Sequence, residues 1–163
     1  MASGRTAQRL LIADPIAANK EVREMGETYQ SIVIKAPVEK VWEAIRDFHD
    51  LGWASNVVTS VDIVGDADGH EVGAQRVLNG AFHETLLSID EEAHTFSYSI
   101  DEGPGPLERA TDYVGRVAVK PAENGGGTLV EWSSSWNKSD EAVYELRHPI
   151  YVALLEDLKQ SLE

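Results

Sequence analysis

An α+β fold, in which a curved antiparallel sheet closes on one long C-terminal helix, is the class this sequence predicts. Three observations carry it. Stretches of alternating apolar and polar residues recur through the middle of the chain, separated by hairpin-sized turns. Residues 38–45 place their apolar side chains at helical spacing. The segment from Asp140 to Glu163 does so again, over a much longer run.

Residues 1–27 read as an N-terminal extension and residues 28–163 as one domain. The extension lacks the long apolar core of a signal peptide. Its first 13 residues hold Arg5 and Arg9 but no acid, a composition that organelle transit peptides share, although an ordinary extension is the simpler reading. From Thr28, the alternation of Tyr-Gln-Ser-Ile-Val-Ile-Lys predicts a strand that Ala36-Pro37 stops. Pro37 suits a first helical turn and Glu39 adds early negative charge. Val38, Val41, Trp42 and Ile45 then form one apolar face, and DFHDLGWASN follows as a loop or a short second helix.

Four or five strands are expected next, from the candidates Val57 to Gly65, Gly73 to Asn79, Phe82 to Ile89, Thr95 to Asp101 and Tyr113 to Lys120. Turn residues separate them, among them Asn79-Gly80 and Asn124-Gly-Gly-Gly127, which accept positive φ. Such short connections make an antiparallel meander. SIDEGPGPLER, Ser99 to Arg109, is the exception. Pro104 and Pro106 deny backbone donors and the glycines permit sharp reversals, so a wide shaped loop is expected that extends neither strand. A last strand, Thr128 to Trp136, leads to Asp140, a helix cap. In the final helix Val143, Leu146, Ile150, Leu154 and Leu158 form the expected core stripe, and Pro149 predicts a kink or break near Arg147-His148.

Composition excludes several functions. Asp and Glu outnumber Lys and Arg by 28 to 14, a net charge of -14, which repels phosphate backbones and anionic lipid heads. Neither a nucleic acid nor a membrane is therefore an expected partner, and no apolar run approaches the roughly 20 residues that span a bilayer. With no cysteine the chain has no disulfide, thiolate zinc site or cysteine nucleophile, which agrees with a cytoplasmic protein. His49, His70, His83, His94 and His148 are scattered without metal-ligand spacing. No nucleophile elbow or phosphate-binding glycine loop occurs, so neither metal nor cofactor is expected. Asp112, Asp140 and the acids after Ile89 read as solvated charges.

The segments VEKVWEAIRDFHDLGW, VGAQRVLNG, FHETLLSIDEEAHTFSYSI, DYVGRVAVKP and GGTLVEWSSSWN resemble, in that order, the polyketide cyclase/dehydrase-like proteins of the START and Bet v 1 superfamily. The likeness runs from about Thr28 to Leu162. It implies a helix-grip fold: a seven-stranded antiparallel sheet wraps the last helix and leaves a cavity for an apolar or aromatic small molecule. The superfamily holds enzymes, carriers and receptors, so this implication stops short of a reaction.

Parity along the strands selects candidate cavity residues. On the third expected strand one face carries Phe82, Glu84 and Leu86, and the other His83, Thr85, Leu87 and Ile89. Hydrophobicity alone would bury the second face, whereas the resemblance turns Glu84 inward. On the last strand, periodicity buries Val130, Trp132 and Trp136, whereas the resemblance turns Glu131 inward. The resemblance is preferred in both cases, because a cavity that orients a ligand needs a few polar groups. Arg76 matches a family arginine, shares parity with Leu78, and would pair with Glu84 if both point inward. Tyr98 and Ile100 share a face of the next strand, and Tyr98 and Tyr113 would add phenols to the walls, although buried structural tyrosines are as common.

Trp53 stands where the family commonly has Trp-His-Pro; here it precedes Ala54 and Ser55, so no histidine role carries over. It reads as a packing anchor at the cavity mouth. In plant hormone receptors of this superfamily the loop matching Ser99 to Arg109 is a latch, but the latch histidine and arginine fall on Gly105 and Pro106. Leu107 remains a candidate rim residue of a lid, with a plain hairpin loop as the alternative.

Three functions follow as expectations. The first is binding of a small apolar or aromatic ligand. The second is cyclase, aromatase or dehydratase catalysis, with Glu84 or Glu131 as general acid or base and a tyrosine or Arg76 stabilising an enolate. The third is a protein-interaction module with a filled interior. A cavity of several hundred Å3 would favour the first two. The extension and an exposed strand edge also offer a homodimer contact.

Overall fold

A computed structural model of the protein describes residues 25–138 and 140–163. Most of the N-terminal extension, with the expectations attached to it, lies outside the described residues. Seven strands form one antiparallel sheet: β1 (Gly26–Ile34), β2 (Val61–Val64), β3 (Gln75–Leu78), β4 (Phe82–Asp90), β5 (Thr95–Glu102), β6 (Thr111–Pro121) and β7 (Thr128–Asn137). Helix α1 (Val38–Ile45) and a single 3-10 turn, Gly52–Ala54, fall between β1 and β2. Helix α2 (Glu141–Leu162) closes the chain. The strand order is β1-β7-β6-β5-β4-β3-β2, so the first and last strands pair and the rest follow as a meander. No described helix is long and apolar enough to cross a membrane.

The sheet turns one face toward α2, which packs most closely on β1, and the other toward solvent, and β2 at the edge is largely exposed. On β7 the pattern is regular: Thr128, Val130, Trp132, Ser134 and Trp136 are buried, and the residues between them are half-buried. Polar contacts settle how α2 lies on this face. Gln30 Oε1 on β1 accepts from His148 Nδ1–H of α2 at 2.8 Å, and the Thr28 and Ser134 hydroxyls bond at 2.6 Å across β1 and β7. Asp140 caps α2 by accepting from the Ala142 amide at 3.0 Å.

Three expectations change. The strand from Val57 begins only at Val61, because the Val57 and Val58 amides donate to the Ala54 carbonyl and complete the 3-10 turn instead. Helix α2 runs through Pro149 without a break. Pro149 is exposed, and so is Glu145, whose carbonyl loses its helical partner, so water can replace the missing bond. The third change is in β4, where Leu86 faces Tyr98 and Ser88 faces Ser97, which leaves Leu87 as the extra residue of a bulge. A bulge reverses parity beyond it. Ile89 therefore lies opposite Phe96 on the inner side, and Leu87 is exposed. The apolar appearance of the face assigned to His83, Thr85, Leu87 and Ile89 came from counting through this bulge.

The Pro-Gly loop folds as a 3-10 turn, Gly105–Glu108, with Gly105 at φ +59°. It extends neither β5 nor β6. Leu107 tucks back beneath Gly103, where an added methyl would stand 2.6 Å from the leucine side chain. The loop packs on α2, and Arg109 pairs with Asp140 at 3.1 Å.

Candidate functional site

Between the concave face of the sheet and α2 lies a cavity of about 140 Å3. Its apolar walls come from Leu51, Val57, Val58, Leu78, Phe82 and Leu154, with Trp132 and Tyr98 from the sheet. Asn79 holds one rim. In the turn joining β3 to β4, Asn79 and Gly80 both adopt positive φ. The Asn79 side chain accepts from the Thr59 amide at 2.7 Å and donates to the Val57 carbonyl at 3.0 Å, so the Val57–Val58 wall is tied to the hairpin.

The charged groups in the cavity are unequal. The same hairpin sets Arg76 directly opposite Glu84. Both are buried, at 5% and 2% exposure, and Arg76 meets Glu84 Oε1 with Nε at 2.8 Å and Nη2 at 2.7 Å. Its third nitrogen, Nη1, donates to the Phe48 carbonyl at 2.8 Å, and the guanidinium lies 3.7 Å from the centre of the Phe48 ring. A buried pair is tolerable when its remaining donors are satisfied in this way.

Arg147 of α2 has no such company. It is 3% exposed and lines the cavity, yet its Nε–H has no hydrogen-bond partner among the described residues. Three aromatic rings surround it, Tyr151 at 4.6 Å, Phe82 at 5.1 Å and Tyr113 at 5.9 Å from the guanidinium carbon, and the Glu84 carboxylate acts on it only through space, without a hydrogen bond. Such cation–π contacts recover part of the cost of burying the charge.

Behind the cavity runs a chain of phenols. Trp132 Nε1–H donates to the Tyr98 hydroxyl at 2.9 Å, Tyr98 and Tyr151 bond at 2.9 Å, and Tyr151 and Tyr113 at 2.7 Å. Burial pushes all three phenols well above their ordinary pKa, so they are neutral donors and acceptors. Gly115 makes room for this chain: a methyl there would sit 2.3 Å from the Tyr98 ring.

Of the residues expected at the site, Arg76, Leu78, Phe82, Glu84 and Tyr98 line the cavity. Tyr113 and Ile100 are buried but stand off its surface. Leu107 is buried beside Gly103 and α2 rather than lining the cavity, and this corrects its assignment to the rim. Trp53 packs on Trp132 with ring centres 6.5 Å apart, without reaching the cavity wall.

Glu131 is the clearest correction. It faces the convex side, where it accepts from the Tyr29 hydroxyl and pairs with Lys120. Lys120 and then Tyr29 hold its carboxyl below the usual carboxylate range. The regular alternation that buries Trp132 requires this outward placement.

Sequence reasoning missed Arg147, Tyr151 and the Val57–Val58 wall. In α2 the buried side is Val143, Arg147, Tyr151, Leu154, Leu155 and Leu158, rotated from the stripe through Leu146 and Ile150, which are only partly buried. Val143, Arg147 and Tyr151 are four residues apart, a helical repeat that a search restricted to apolar residues passes over. The cavity, at about 140 Å3, is also smaller than the several hundred Å3 expected.

A curved antiparallel sheet gripping a C-terminal helix around an internal cavity defines the Bet v 1-like helix-grip class. Within that class, residues 25–163 match the family model described as polyketide cyclase / dehydrase and lipid transport, and the chain belongs to that family. A protein of Nitrosospira multiformis has a similar solved structure, with 40% identity and a TM-score of 0.81 over 84% of this chain and 96% of that one. The XoxI protein of Bacillus cereus is 27% identical, with a TM-score of 0.70 over 84% and 95% of the two chains. Ginseng major latex-like protein 151, from Panax ginseng, shares the fold at 20% identity, with a TM-score of 0.69 over 86% and 99%. None of the curated proteins matches this sequence.

Proposed function

We propose that the protein binds a small apolar or aromatic molecule in the cavity between the sheet and α2. The carrying observation is the space of about 140 Å3 with largely apolar walls. An engineered core cavity of roughly 150 Å3 admits benzene, so the group that enters is about one ring in size. Sites for drug-sized ligands run to roughly 300–1,000 Å3, which makes a whole polyketide or lipid a poor fit for this space. Membership of a family whose description spans polyketide chemistry and lipid carriage supports an apolar occupant.

Binding is favoured over cyclase or dehydratase catalysis because Glu84, the one acid on the cavity wall, is committed to a buried ion pair in which two Arg76 donors fix its orientation through Oε1. The reading is tested by titrating isotope-labelled protein with benzene and benzyl alcohol and following amide and methyl resonances. Shifts centred on Val58, Leu78 and Phe82 are expected, and Val58→Trp, which fills the space, should abolish them. If saturating probe leaves those resonances unmoved, the protein does not use this cavity.

A further inference from the structure

We infer that the ligand is a monoanion, a small aromatic or branched aliphatic carboxylate whose charged end meets Arg147 while its apolar body fills the cavity. The inference rests on the reading that the cavity holds a ligand and adds which chemical class it takes.

Charge balance carries the argument. Two guanidiniums and one carboxylate line the cavity, and the Arg76–Glu84 pair is internally neutral. Arg147 is left as the one uncompensated charge on the wall among the described residues, and its Nε–H has no acceptor there. Arginine does not escape by losing its proton, because a guanidinium stays protonated even when buried. Aromatic faces satisfy the charge in part but supply no acceptor for a planar fork of N–H donors. A carboxylate does both, since it accepts two parallel bonds from a guanidinium and cancels its charge.

The remaining groups near Arg147 fit this occupant. Tyr113 and Tyr151 are neutral phenols that bond to each other, so they offer no competing negative charge. Asp157, the buried acid of α2, already accepts from the amide and side chain of Asn56 at 3.0 and 2.9 Å, and does not line the cavity. Tyr98, on the cavity wall, is also neutral, and its hydroxyl is engaged by Trp132 and Tyr151. The overall charge of -14 opposes an approaching anion, but salt screens that field over about 8–10 Å, leaving the buried guanidinium to govern binding once the ligand is inside.

The experiment compares benzoate with benzamide, its neutral counterpart of nearly equal shape, by calorimetric titration of the full chain. Benzoate should bind at least about tenfold more tightly, the order expected of hydrogen bonds to a charged group. Arg147→Met should remove that preference, so that benzoate and benzamide bind the variant within about threefold of each other. A measurement on the unaltered protein guards against a variant that fails to fold: the Arg147 Nε–H resonance should move markedly further with benzoate than with benzamide. Equal affinity for the two probes, an Nε–H signal indifferent to benzoate, or a folded Arg147→Met that keeps the preference overturns the anion assignment while the cavity reading stands. If benzoate, benzamide and benzene all fail to bind, the cavity reading falls and the inference with it.

Discussion

Glu84 and Glu131 occupy strands of the same sheet, separated by β5 and β6, and differ in everything that decides what a carboxylate can do. Glu84 points inward, is almost fully buried, and is met by a guanidinium that the hairpin register places directly across from it. Glu131 points outward and is served by Lys120 and Tyr29 from the two flanking strands, β6 and β1. The contrast shows that a residue type expected in a cavity does not predict its own direction. Strand parity sets direction, and an inward carboxylate persists where a register partner compensates it.

That contrast is broken most severely at Arg76. Arg76→Met strips the partner from a buried Glu84 and should cost about 3–5 kcal/mol, read as a lowered urea midpoint at unchanged slope. Replacing both residues, Arg76→Met with Glu84→Met, should recover most of that loss, since a matched apolar pair carries no desolvation cost. An Arg76→Met protein within about 1 kcal/mol of the parent would mean that Glu84 is not held as a buried ion.

A smaller effect is expected one layer deeper. Tyr151→Phe removes the hydroxyl that joins Tyr98 to Tyr113 and leaves both phenols short of a partner in the core. The expected loss is about 1–3 kcal/mol, the range for an unsatisfied buried polar group. Thermal unfolding of the variant measures it; an unchanged midpoint would show that the two phenols find other partners.

Legibility follows the same division between backbone pattern and side-chain company. Alternation and turn residues were enough to locate β1, β4, β5, β6 and β7, the cap at Asp140 and the helices, because these depend on local chemistry. The Arg76–Glu84 pair was also within reach, since the turn at Asn79-Gly80 sets their register. Direction failed at Glu131, where resemblance was preferred over parity, and at Ile89, where a one-residue bulge invisible to periodicity reversed the faces. Arg147 was out of reach for another reason. A charged residue on a buried stripe is excluded by any rule that sorts side chains by polarity, and only the aromatic rings gathered from β4, β6 and α2 make its position tolerable.

The convex side supplies the mildest test. Glu131→Gln removes the charge from a half-buried surface cluster, and double-mutant values for exposed pairs imply a loss below about 1 kcal/mol at neutral pH, reduced further by salt. Its pH dependence has a definite sign. Lys120 and Tyr29 depress the folded-state pKa below the ordinary 4.5, so the unfolded chain takes up the proton first as the solution is acidified. The stabilisation is present above about pH 4.5 and disappears as the pH falls through the lower, folded-state value. Urea midpoints of the parent and Glu131→Gln should therefore differ slightly at pH 7 and converge in acid. If the gap widened on acidification instead, the carboxylate would have to be bound more weakly in the folded protein than in the unfolded chain, and the Tyr29–Glu131–Lys120 cluster could not be what holds it on the outer face.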